Sequence, residues 1–179
     1  MSNGRFMSSI AALCLLACTS RADAQVIYTA ILSGAAEVPP NSTTGTGSAT
    51  ITYFPETSMM IVSMNFTGLA SGTTSAHIHC CTMNAGAENT AVATGVPSFA
   101  GFPAGVTAGT YANTFDMSLA SNYNPSFVTS SGSVAAALGR LLEGMGNGTA
   151  YIDIHTIPFP GGEIRGNLVE QPIFRSGFE

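Results

Sequence analysis

Two alternating runs joined by a short break constrain this chain more than any other feature. From Gly45 to Phe54, Ala49, Ile51 and Tyr53 fall on one side, and Thr50 and Thr52 on the other. From Met59 to Phe66, Met60, Val62, Met64 and Phe66 face one way, and Ser63 and Asn65 the other. Pro55-Glu56-Thr57-Ser58 lies between them as a turn. A period of two on both arms predicts a β-hairpin with one apolar face. Such a face needs a second layer to cover it. More strands are at hand. Val26–Ser33 is rich in β-branched and aromatic residues, and Thr110–Leu119 alternates. Thr149–His155 and Glu163–Val169 flank the turn Pro158–Gly162 as a second hairpin. One segment is helical in period. Val134, Leu138, Leu141, Leu142 and Met145 share a face, with Ser133 as N-cap and Gly144-Met145-Gly146-Asn147-Gly148 closing it. The expectation is an all-β, antiparallel sandwich or barrel with one helical crossover. The loop Asn84–Gly109 shows no period, and a loop of that length is often functional.

Composition agrees. Only 8% of residues are charged and none is lysine, whereas a helical bundle usually carries Lys, Glu and Arg on its outer faces. The formal charge is −5. An acidic chain without lysine lacks the cationic patch that phosphates require, which argues against nucleic acid and anionic membrane as partners.

The N-terminus reads as a secretory signal over residues 1–24. Arg5 starts it, Ile10–Ala17 is its apolar run, and Ala22-Asp23-Ala24 gives the small-x-small cleavage pattern. That run is far below the roughly 20 residues that span a bilayer, and no later segment is long enough. A lipoprotein signal ending at Ala17-Cys18 ranks second, because Leu16 is awkward before Ala17. The expected mature chain is secreted or periplasmic, in an oxidising compartment. Residues 25–170 then form one domain, and 171–179 a tail with two phenylalanines.

The chemistry-bearing residues are few and clustered. Ala76-His77-Ile78-His79-Cys80-Cys81 holds two of the three histidines, and the third is His155. In a strand, His77, His79 and Cys81 share a face, and so do Asp153 and His155. If the two strands are close, the three imidazoles make a site for Cu or Zn. The competing reading is a set of neutral, hydrogen-bonded structural histidines. Glu163 and Arg165 are same-face neighbours, suited to an ion pair, and Glu163 is also placed to orient an imidazole. Cys80-Cys81 has three readings: a vicinal disulfide, a bridge between molecules, or thiols that stay buried or bind metal. The first is favoured, although neighbouring Cα atoms lie only about 3.8 Å apart across a trans peptide, so the ring is tight. No P-loop, nucleophile elbow, dinucleotide fingerprint or HExxH is present.

Four blocks together resemble the CHRD domain, the module named after chordin. They are Leu32–Pro40, Ala76–His79, Tyr151–Thr156 and Gly162–Gly166, and they span about Tyr28 to Leu168. Cys80-Cys81 departs from the Gly-Pro more usual there. The resemblance implies an immunoglobulin-like extracellular β module without an established enzyme activity in its microbial members. The leading expectation is therefore an exported, non-enzymatic binding or structural module for an extracellular or periplasmic partner. The second is a Cu or Zn protein with His77, His79 and His155 as ligands. A dismutase of the copper–zinc kind needs two ligand sets, which three histidines cannot supply.

Overall fold

The computed structural model describes residues 24–172. Most of the expected leader, with Cys18, and the tail from residue 173 lie outside the described residues. The eight described strands are β1 (Val26–Ser33), β2 (Thr46–Phe54), β3 (Met59–Thr67), β4 (Thr73–His79), β5 (Gly109–Asp116), β6 (Tyr151–Thr156), β7 (Ile164–Asn167) and β8 (Val169–Glu170). They form one antiparallel sheet in the order β4-β6-β7-β1-β2-β3-β5, with β8 also on β1. The sheet curls, so that strands from both halves share a single core.

The expected hairpin is β2–β3, paired from Thr46↔Thr67 to Phe54↔Met59. Its apolar face, Ala49, Ile51, Tyr53, Met60, Val62, Met64 and Phe66, is buried. From the other half of the sheet, Ala76, Ile78, Ile152 and Ile154 join the same core. The second hairpin, β6–β7, also forms.

The single helical crossover needs correcting to two helices, α1 (Pro125–Ser131) and α2 (Val134–Gly146). Tyr123-Asn124-Pro125 looks like a terminator but is a helix start. The Asn124 side chain accepts from the Ser126 N–H as N-cap, and Pro125 takes the first helical position, where a missing N–H costs nothing. Ser133 caps α2 as expected, accepting from the Ala136 N–H. No helix among the described residues is long and apolar enough to cross a membrane.

The unpatterned stretch before β5 lies along β4. The Ala93 N–H donates to the Ile78 carbonyl and the Phe99 N–H to the Ala76 carbonyl. It lacks a strand period because its contacts are single bridges, His79↔Val92 among them. With the turn Pro158–Gly162 it covers the polar face of β4 and β6. All six residues of β6 are consequently buried, although their sequence alternates as if one face were wet.

β1 and β7 approach so closely at Gly166 that a Cβ there would overlap the Ile31 carbonyl. Backbone cannot rotate away as a side chain can. Gly166→Ala should therefore cost about 1–3 kcal/mol, the usual range for overpacking, read as a lower urea midpoint at unchanged m-value.

Candidate metal centre

Strand register assembles the site. In the β4–β6 pair His77 lies opposite Asp153, His79 opposite Tyr151, and Ser75 opposite His155. Period two then puts His77, His79, Asp153 and His155 on one face, while Ala76, Ile78, Ile152 and Ile154 enter the core from the other. All four polar residues are buried.

Each imidazole is held from outside by a backbone carbonyl. His77 Nε2 is 2.7 Å from Pro97 O, His79 Nδ1 2.7 Å from Thr90 O, and His155 Nδ1 3.0 Å from Pro160 O. A carbonyl only accepts, so each of these nitrogens carries the proton. In the neutral rings the remaining nitrogens, His77 Nδ1, His79 Nε2 and His155 Nε2, present lone pairs to the centre. Asp153 adds its carboxylate, with Oδ2 3.2 Å from His79 Nε2 and Oδ1 3.1 Å from His155 Nε2. His77 Nδ1 and His155 Nε2 are 3.3 Å apart. Acceptors facing acceptors at such distances need a proton or a cation between them.

The electrostatics record that need. Burial is the largest influence on Asp153 and works against its charge, yet contacts with His155 and His79 overcome it and hold the carboxyl at about 2. Burial also opposes charge on His155, but the Asp153 contact and charge, with the Pro160 carbonyl, raise it overall. Burial lowers His77. In the metal-free protein the shared proton therefore belongs on His155, against Asp153.

The three expected histidines and Asp153 thus come together. Arg165 lies across the β6–β7 pair from Asp153, also fully buried. It makes no ion pair with Glu163. Its guanidinium donates to Asn89 Oδ1 and the Glu88 carbonyl and lies 3.5 Å from the centroid of the Tyr151 ring. On the other side of Tyr151, the His79 ring stacks at 4.7 Å. Glu163 is turned elsewhere: Thr43 Oγ1, the Ala70 N–H and Thr156 Oγ1 donate to it. It sits just before β7 and after Gly162, whose φ of 124° redirects the chain, so strand alternation does not reach it. Nor does alternation reach Cys81. β4 ends at His79, and both sulfurs lie together against the Arg140 carbonyl on α2.

A family model for the CHRD domain matches residues 28–168. The chain belongs to the CHRD family. The match runs from within β1 to just past the end of β7, and all four site residues fall within it. The chain matches no curated protein and no solved structure. CHRD is not a known enzyme family. Within this CHRD domain, Glu37 and Tyr151 are the site neighbours that residue chemistry alone did not single out, although both stand in the blocks that carry the family resemblance.

Glu37 is buried, and among the described residues nothing donates to its Oε1. Burial, then the Asp153 charge, raise its carboxyl from 4.5 to about 7, against the pull of Arg165, His155 and His79. Glu37 and His155 both hold a proton more tightly folded than unfolded. Their contribution to stability is full below the unfolded values, and it is lost as pH rises through the folded ones. For Glu37 that window runs from 4.5 to about 7. Asp153 has the opposite sign, its contribution disappearing as pH falls below 3.8 through about 2. His77, lowered, works the other way below 6.5. The loss of urea stability in the metal-free protein should therefore be clearest as pH rises through about 7, the folded value of Glu37, and Glu37→Gln should flatten that part of the slope.

Proposed function

We propose that this CHRD domain is an exported, non-enzymatic module that binds one divalent transition-metal ion, zinc or copper, through His77, His79, Asp153 and His155. The supporting observation is where its unsatisfied polar atoms lie. The described side chains contain four buried polar atoms without a hydrogen-bond partner: Glu37 Oε1, His79 Nε2, Asp153 Oδ1 and Arg165 Nε. All four belong to this cluster or its border, but Arg165 Nε is an N–H donor that no cation can partner. A proton on His155 serves Asp153 Oδ1, so His79 Nε2 and Glu37 Oε1 are the acceptors left without one. Each such atom costs about 1–3 kcal/mol, and native folds hold only a few, so their gathering in one place calls for a missing partner.

The donor set fits that partner. The four ligand atoms lie within 4.8 Å of one another. A tetrahedral ion with bonds of about 2.0–2.1 Å sets its ligand atoms about 3.3–3.4 Å apart. That is the spacing of His77 Nδ1 and His155 Nε2 at 3.3 Å, and the more widely spaced atoms of the set would draw in on binding. Three imidazole nitrogens and one carboxylate suit zinc or copper rather than the all-oxygen sites of calcium and magnesium. The three carbonyls fix ring orientation and tautomer as outer partners of metal-bound histidines do.

Export is supported by the leader pattern in the first 24 residues. The Cys80–Cys81 sulfurs lie at bonding distance, and we read them as a disulfide suited to an oxidising compartment. We read the curl of the sheet as the immunoglobulin-like sandwich, since β2 and β3 share one core with β4 and β6.

The test is elemental mass spectrometry on protein exported natively and purified without chelator. Close to one zinc or copper per chain is expected, lost in the double variant His77→Ala, His79→Ala. A purely structural network gives no metal in either protein. Added zinc at a hundredfold excess over Kd should stabilise the wild type by about 2.7 kcal/mol. Since the ligand nitrogens must be free of protons, that gain should disappear as pH falls below about 6, near the ordinary histidine value.

A further inference from the structure

The ligand set leaves Glu37 unexplained. It stands on the loop after β1, far in sequence from β4 and β6, yet the charges of Asp153, Arg165, His155 and His79 all act on its carboxyl. Its position is built. Gly162 has a φ of 124°, and a Cβ there would come within 2.5 Å of Glu37 Oε1. The turn that supplies the Pro160 carbonyl to His155 thus also makes room for this carboxyl, while leaving Oε1 without a donor. Beyond Glu37 lies a cavity of about 370 Å³ walled by Pro39, Pro40, Phe159 and Pro160. Glu37 lines it, and the four ligand residues do not.

Counting charge gives the carboxylate a task. Asp153 and Arg165 cancel. A divalent ion among neutral imidazoles would leave two uncompensated positive charges in a buried site, which is costly. One more carboxylate at its border halves that excess. Resting on the metal reading above, we propose that Glu37 is a fifth residue of the centre, the carboxylate that faces the bound cation from the cavity side and makes the site selective for a divalent ion. It is a charge-balancing residue, set between the cavity and the centre.

The test compares wild type with Glu37→Gln, which keeps shape and removes the charge. Zn²⁺ and Ag⁺ are the probes, because attraction to a carboxylate scales with ion charge. In the variant, Zn²⁺ affinity should fall about 10- to 100-fold, the range for an outer-sphere carboxylate, and Ag⁺ affinity by distinctly less. The metal-free variant should meanwhile melt higher than wild type at pH 8, since an unpartnered buried charge is gone. Loss of zinc affinity together with gain of metal-free stability is a pair of signs that a merely structural residue does not give. Equal falls for both ions, or no change for either, overturns the role of Glu37 and leaves the centre standing. A wild type that binds no zinc overturns both.

Discussion

The site depends on one antiparallel register, the pairing of β4 with β6 that sets His77 opposite Asp153. The same register sends Ile78, Ile152 and Ile154 into the core. A slip by one residue would exchange the two faces completely, placing histidines in the core and isoleucines against the loops. Magnitudes show which face decides. Burying an isoleucine stabilises by roughly 1.5–3 kcal/mol, whereas the polar face contains atoms that each cost about 1–3 kcal/mol unpartnered. The apolar face holds the register, and the polar face is carried with it. Substitutions at the four ligands should therefore be tolerated by the fold far better than substitutions at the three isoleucines.

Much of this architecture was legible in the sequence because it is local. β1 matched its expected bounds, both hairpins formed, and α2 began at its expected cap, since period and caps are written in neighbouring residues. What was not legible depends on distant chain. β6 reads as half-wet, yet the segment after Val92 and the turn Pro158–Gly162 bury its polar face. Nothing in Tyr151-Ile152-Asp153-Ile154-His155-Thr156 announces that cover. Glu163 was misread for a related reason. Its spacing to Arg165 promised a shared face, but it stands before β7, where Thr43, Ala70 and Thr156 reach it instead. Helix α1 was missed because asparagine before proline serves equally as a loop signal and as a helix entry.

The long unpatterned loop illustrates how irregular chain serves a site. A strand presents a carbonyl to each neighbour at fixed intervals, and those carbonyls are consumed by the ladder. Chain that runs beside β4 without pairing regularly has carbonyls left over, and Thr90 and Pro97 turn theirs to His79 and His77. Pro160 does the same for His155 from the opposite side. Two separate loops thus set three tautomers, and all three leave the free nitrogen pointing inward. The regular sheet could not have provided this.

That convergence weighs against a purely structural network. A buried polar cluster that exists to rigidify a fold gains by pairing every donor with an acceptor, since a half-satisfied network is worse than an apolar one. Here the imidazole donors all lie at the rim, bonded to carbonyls, and the imidazole nitrogens that face inward are acceptors beside a carboxylate. One proton on His155 relieves one pair of them and leaves His79 Nε2 without a partner. Replacing one imidazole by an amide would have satisfied such a core more cheaply. Three inward lone pairs beside a carboxylate, with a second carboxylate held unpartnered at the border, are arranged for a positive charge that the chain itself does not supply.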